Sequence, residues 1–171
     1  MKVTALIPAR LSSSRFDRKL MMDLCDKSVI LRTYEAVVNT NLFDSVYVVT
    51  EDEEIYNEIH NSGGNSILSK NQHESGSDRI AEACESISSD AFVNIQGDEP
   101  FIDSNSLKKL VEELHNSDYV SLMIKISEIQ EIENPNNVKV IVNNDNYALY
   151  FSRSVIPFCR DSNSDFVNYY K

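Results

Sequence analysis

The sequence predicts an α/β fold: a mostly parallel sheet with helices on both faces, extended near the C-terminus by an antiparallel hairpin. Three observations predict it. Short apolar, β-branched runs alternate with segments of helical period over about the first 120 residues, and that alternation favours parallel strands joined by right-handed crossovers. Beyond them, two short apolar runs flank the turn-rich stretch Asn143-Asn144-Asp145-Asn146, which reads as a hairpin. The composition is that of a globular domain, with 42% hydrophobic and 25% charged residues and few Gly or Pro.

The elements follow in order. Lys2 to Ile7 reads as a buried strand. Ser28 to Asn39 has the spacing of an amphipathic helix, with Ile30, Leu31, Tyr34, Val37 and Val38 on one side. Ser45 to Thr50 is a second strand, followed by an acidic helix from Asp52 to His60 that Gly63-Gly64 stops. A short strand at Ser66 to Leu68 precedes a helix from Ser77 to Ile87, with Ser77 as a candidate N-cap. The strand Ala91 to Ile95, the helix Ser104 to His115 and a strand at Tyr119 to Ile126 complete the alternation. Asn137 to Val142 and Tyr147 to Phe151 form the hairpin. We read residues 1–171 as a single domain, with an α/β core over 1–120 and the start of a further part over 121–171. The final SDFVNYYK resembles the entry to another structured element rather than a solvated end, so the chain is expected to stop short of a complete domain.

Charge and cysteine content narrow the classes. A formal net charge of -11 opposes general binding to nucleic acid or to an anionic membrane, so any phosphate site must be a local basic island. Cys25, Cys84 and Cys159 are widely spaced, form no CxxC pair and suggest no zinc cage; they read as reduced, partly buried thiols. No signal peptide and no membrane span is evident, which places the protein in the cytoplasm.

Ligands of an open parallel sheet collect at the carboxyl ends of its strands, and three loops there hold unusual residues. The stretch after the first strand holds Arg10, Arg15, Arg18 and Lys19 against a single acid, Asp17. It is the basic island the net charge requires, or a solvated loop that offsets nearby carboxylates. Neither a dinucleotide fingerprint nor a Walker loop is present. Gln96-Gly97-Asp98-Glu99-Pro100 follows the strand Ala91 to Ile95. A carboxylate there suits Mg²⁺ beside a polyphosphate, though the segment also reads as a simple turn. His73 to Arg79 opens a helix whose free N–H groups suit a polar base or anion, and equally form a plain capped N-terminus.

The segments IPARLSSSRFDRKL, QHESGSDR, FVNIQGDEPFI, NPNNVKV and NYALYFSRSVIPF occur in the order found in the CMP-Kdo synthetase family, and the chain resembles it from residue 3 to about 160. These are nucleotidyltransferases that make CMP-linked acidic sugars. The resemblance implies a Rossmann-like sheet of the nucleotide-diphospho-sugar transferase type. It implies transfer of CMP from CTP to the anomeric hydroxyl of Kdo (3-deoxy-manno-octulosonate), with release of pyrophosphate and use in lipopolysaccharide synthesis. By position, Arg10, Arg15 and Lys19 match residues that hold the CTP phosphates, and Ser75, Gly76 and Arg79 match the segment around the cytosine. Asp98 matches a magnesium-binding Asp, and Gln96 a residue near both nucleotide and sugar. Tyr150 and Arg153 fall in the segment that faces Kdo, or pack as part of the hairpin. Arg10, Arg15, Lys19 and Asp98 would thus be catalytic, with Mg²⁺ as cofactor. Many members have Gly where this chain has Arg18, so the loop's backbone path is open to local change.

Family members continue past this chain's end, with a second magnesium-binding Asp, sugar contacts and much of a homodimer interface in that part. The resemblance therefore implies a homodimer for the complete protein and leaves one for this chain in doubt. A cytidylyltransferase for another acidic or amino-substituted sugar, and a CTP-binding fragment without activity, are the alternatives.

Overall fold

The computed structural model describes residues 1–12, 17–73, 75–158 and 168–171. They form two compact units, Met1–Val120 and Ser121–Lys171.

In the first unit, strands β1 (Val3–Ala9), β2 (Ser45–Thr50), β3 (Ser66–Leu68) and β4 (Ala91–Asn94) make one parallel sheet in the order β3-β2-β1-β4. β1 is buried along its whole length because it lies inside the sheet with helices on both faces. Its odd-numbered residues, Val3, Ala5, Ile7 and Ala9, join one core with helices α1 (Val29–Asn39), α2 (Glu53–Asn61) and α4 (Ser104–Glu113). Leu6, on the other face, packs with Ile80 and Ala83 of α3 (Gly76–Cys84). The chain runs outward from β1 to β3 and then returns past β1 to β4. Reversing direction while keeping right-handed crossovers moves α3 to the opposite face from α1 and α2. Ile30, Ile55 and Ile59 are fully buried, each contributing about 1.5–3 kcal/mol of transfer free energy.

β1 extends to Ala9, two residues beyond the expected strand, and so contains Pro8. A proline inside a central strand removes a ladder donor. The tolerance here has a geometric reason: β4 ends at Asn94, opposite Leu6, and the last bond on that side runs from the Ile95 N–H to the Leu6 carbonyl at 3.0 Å. Pro8, two residues on, presents its backbone to the same side, where no strand remains to require an N–H.

The second unit holds β5 (Lys125–Ile126), the short helix α5 (Ile129–Glu133), β6 (Lys139–Val142), β7 (Ala148–Ser152) and β8 (Tyr169–Tyr170). Its sheet has the order β5-β8-β6-β7, with every pairing antiparallel. The β6–β7 hairpin lies where the sequence places it. The expected strand over Tyr119 to Ile126 does not: only its end pairs, Lys125–Ile126 with β8 and Ile124 with Lys171 just beyond it, rather than with the parallel sheet. Tyr119 is 96% exposed, and apolar character alone makes no strand without a ladder partner. The closing tyrosines are themselves a strand. Tyr169 is 8% exposed and its hydroxyl donates to the Pro157 carbonyl at 2.9 Å, so the tail packs within its own unit. No helix among the described residues is long and apolar enough to cross a membrane.

Gly64 tests the core behind β2 and β3. A Cβ there would stand 2.7 Å from the Tyr34 ring and 2.8 Å from Ile59 Cγ2. Tyr34 cannot swing away freely, since its hydroxyl accepts from the Asn65 N–H at 3.0 Å. Gly64→Ala should therefore cost about 1–3 kcal/mol, read as a lower urea midpoint. An unchanged midpoint would contradict this packing.

Candidate nucleotide site at the carboxyl edge of the parallel sheet

The strand order reverses at β1, so the crevice between the carboxyl ends of β1 and β4 is the switch point at which α/β sheets bind ligands. The segments after β1, after β4 and at the start of α3 all meet Pro8. A Cβ on Gly97 would lie 3.1 Å from the Pro8 carbonyl oxygen and 3.1 Å from Ile30 Cδ1, so any larger residue would need the Pro8 backbone or Ile30 to give way by a few tenths of an ångström. On the opposite face of the sheet, a Cβ on Gly76 would lie 3.3 Å from Pro8 Cγ. The Gly97 carbonyl in turn accepts from the buried Thr33 hydroxyl of α1 at 2.9 Å.

Two charged residues singled out by sequence come together here. Lys19 Nζ lies 2.6 Å from Asp98 Oδ2, with both side chains about half exposed, which joins the loop after β1 to the loop after β4. Lys19 opens a short 3-10 helix, Lys19–Met21, whose Leu20 is buried against the core. Arg10 is exposed just beyond the last residue of β1. Gln96 is exposed, and its amide donates to Asn94 Oδ1 at 3.2 Å. Arg15 lies outside the described residues.

The base of the loop after β1 is closed by its backbone, with the Arg18 N–H donating to the Leu11 carbonyl at 2.9 Å. Arg18 has φ 57, the left-handed conformation in which glycine is at ease. The Arg at this position thus keeps a glycine-like backbone there, and its guanidinium pairs with Glu54 of α2.

The cap of α3 is Ser75, not Ser77. Ser75 Oγ accepts from the Asp78 N–H at 3.2 Å and donates to Asp78 Oδ2 at 2.6 Å. The offset of three residues between a hydroxyl and an acid is the capping signature, and it fits Ser75/Asp78. Gly76 is the first helical residue. Arg79 faces inward instead: it is 2% exposed and pairs with Glu51 at 2.9 Å. His73 is bonded to Glu82, whose carboxyl also accepts from the Lys70 N–H at 2.8 Å. Sequence reasoning did not single out Thr33, Glu51 or Asp52, the first inside a helix read only for its apolar side and the others at the start of a helix read only as acidic.

In the second unit, Tyr150 of β7 is 62% exposed. Arg153 Nη1 donates to the Pro135 carbonyl at 2.9 Å. The Lys139 side chain is fully buried, and its ammonium donates to the carbonyls of Arg153 at 2.6 Å and Asn134 at 3.1 Å. The NPNNVK and ALYFSR segments are thereby tied to each other in both directions. Cys25 is exposed rather than partly buried, because it sits with φ 56 in a tight turn at the surface; Cys84 is half-buried, and burial pushes its thiol up. Cys159 lies outside the described residues.

The chain matches the cytidylyltransferase family over residues 4–171. It is 55% identical, over 99% of its length, to the 3-deoxy-manno-octulosonate cytidylyltransferase of Christiangramia forsetii, and covers 70% of that protein. It is 52% identical, over 96% of its length, to the enzyme of the same name from Flavobacterium johnsoniae, covering 69% of it. Among solved structures, a CMP:2-keto-3-deoxy-manno-octonic acid synthetase complexed with CTP superposes with a TM-score of 0.92 at 35% identity. That match covers all of this chain and 71% of the other.

The Lys70–Glu82–His73 contacts give a pH prediction for the segment leading into α3. The Lys70 N–H, first, and then His73 hold the Glu82 carboxyl below its ordinary range. A carboxylate with a lowered folded pKa contributes stability that is complete above its unfolded value, roughly 4.3, and is lost as pH falls through the folded value. Glu82→Gln should be less stable than the parent at neutral pH, and the gap should close below about pH 4. A gap that stays constant down to pH 3 would remove the carboxylate from this account.

Proposed function

We propose that this chain, which belongs to the cytidylyltransferase family, transfers the CMP group of CTP to the anomeric hydroxyl of 3-deoxy-manno-octulosonate and releases pyrophosphate. The observation that supports this reading best is the Lys19–Asp98 pair at the sheet's switch point. It sets a cation for phosphate beside a carboxylate for a metal, in a chain similar throughout to enzymes bearing that name.

Arg10 and Lys19, with Arg15 from the same loop, bind the triphosphate and spread the negative charge that grows on the leaving pyrophosphate. The N–H groups around Ser75 and Gly76 bind and orient the cytosine end. Gln96 stands between nucleotide and sugar, and Tyr150 and Arg153 belong to the segment that meets the sugar acid. The sugar hydroxyl attacks the α-phosphorus in line, the bond to the pyrophosphate oxygen breaks, and the hydroxyl proton leaves to solvent. The protein's part is positioning and charge neutralisation, with no covalent intermediate.

Asp98 is the residue that would hold Mg²⁺. Its exposed carboxylate already accepts a cation, the Lys19 ammonium. Among the described residues no group of three or more His, Cys, Asp or Glu gathers. A single carboxylate is the donor set that suits an ion otherwise bound by water and substrate phosphates. When bound, Mg²⁺ supplies further charge neutralisation at the phosphates. We place the reaction in the cytoplasm, as a supply of CMP-Kdo for lipopolysaccharide synthesis, with a homodimer as the complete protein's assembly.

The test is pyrophosphate release from CTP plus Kdo with Mg²⁺. Release that requires all three components is expected. Asp98→Asn should lower turnover by at least about a hundredfold, as for loss of a principal charge-stabilising group, while CTP is still bound. Full turnover in that variant would sink the role given to Asp98. CTP binding with no release on Kdo would shift the assignment to another acidic sugar or to nucleotide binding alone.

A further inference from the structure

The acidic run Glu51-Asp52-Glu53-Glu54 at the end of β2 resembles a solvated charge cluster, yet three of its members reach inward or across to the nucleotide-facing segments. Glu51 pairs with Arg79 in the first turns of α3 at 2.9 Å. Asp52 Oδ2 accepts the Leu11 N–H at 2.8 Å, just past β1, and its own N–H is held by Thr50 Oγ1 at 3.0 Å. Glu54 pairs with Arg18 at the other end of the same loop. Consecutive residues of one strand end thus hold the segment assigned to the base and the segment assigned to the phosphates.

The Glu51–Arg79 contact is where this arrangement is most demanding. Three of the four buried side-chain polar atoms that lack a hydrogen-bond partner among the described residues belong to this pair, Glu51 Oε2 and Arg79 Nε and Nη2, so the charges face each other at 2.9 Å out of hydrogen-bond alignment. The fourth, Ser69 Oγ, belongs to a residue whose N–H is held by the Thr50 carbonyl at 2.7 Å, one residue before Glu51. A guanidinium that is 98% removed from solvent costs several kcal/mol unless a carboxylate faces it. Glu51 is therefore what allows Arg79 to sit inside, and an inward Arg79 pins α3 so that Gly76 rests on Pro8.

We propose that Glu51 and Asp52 are positioning residues that fix the distance between base-binding and phosphate-binding segments, Glu51 through Arg79 and Asp52 through the Leu11 N–H. The proposal rests on the nucleotide-site reading above and deepens it. It has a distinctive sign. Coulomb attraction alone says that removing an acid beside a triphosphate site tightens binding, whereas loss of an anchor weakens it.

The test is calorimetric titration of this chain and its variants with CTP and, separately, with inorganic tripolyphosphate. Glu51→Gln should weaken CTP by about tenfold, comparable to one lost polar contact, and leave tripolyphosphate within about twofold. Asp52→Ala should weaken both ligands, since it frees the phosphate loop. Glu53→Gln, which removes the same charge from an exposed neighbour, should weaken neither. If Glu51→Gln fails to fold, Asp52→Ala still decides, because it buries no unpaired charge. Tighter or unchanged CTP binding in the Glu51 and Asp52 variants overturns the proposal. So does an equal loss of both ligands in Glu51→Gln, which would mark general destabilisation. A parent chain that does not bind CTP overturns the nucleotide-site reading itself, and this proposal with it.

Discussion

The packing of Pro8 at the carboxyl end of β1 governs the geometry of the candidate site. Its ring meets Gly76 at the start of α3 on one face of the sheet, and its carbonyl lies against Gly97 beyond β4. Neither approach takes a Cβ without movement of the neighbour, and the approach of Gly97 uses the side of Pro8 that β4 leaves unpaired. The staggered strand lengths leave a step in the sheet edge, and the loop bearing Asp98 folds onto that step. The Lys19–Asp98 pair then follows from two segments that are each fixed by backbone packing. An exposed ion pair contributes only about 0–1 kcal/mol, too little to organise two loops by itself. The pair reports the geometry rather than creating it.

A protein of net charge -11 must solve a problem before it can hold a triphosphate. The basic loop answers part of it by concentrating cations within ten residues, and three acids from outside the loop are engaged with it. Asp52, Glu54 and Asp98 are each engaged with that loop, as acceptor of an N–H or as ion-pair partner. Their negative charge is partly neutralised locally, and falls off beyond a Debye length of about 8–10 Å at physiological salt.

The sequence made the parallel core legible because hydrophobic period and turn residues agree there: β2 and β3 have the expected bounds, and α1, α2, α3 and α4 agree to within about three residues at each end. It also singled out Lys19 and Asp98 in two separate loops, and the fold places these two side chains in contact. Legibility failed where pairing, not composition, decides. Tyr119 to Ile124 has strand-like residues and no ladder in the parallel sheet, whereas Tyr169–Tyr170 is a strand because β5 and β6 flank it. The anchoring residues were hidden for a different reason. Thr33 reads as a helix residue and Glu51 as one acid among four, and only the fold shows that each faces a partner 64 or 28 residues away.

Arg18 shows how much a closed loop can impose on the residue placed in it. A left-handed conformation costs a non-glycine residue roughly 1–2 kcal/mol. The chain accepts that cost where Leu11 and Arg18 close the loop by a backbone bond, and Asp52 fixes Leu11 from β2. Leu11 is thus held at both its carbonyl and its N–H. Replacing a glycine there with arginine need not reroute the backbone, provided the new side chain has somewhere to go. Glu54, in the first turn of α2, provides it. Arg18 thus serves the loop's closure, whereas Arg10 stays exposed and Lys19 faces Asp98.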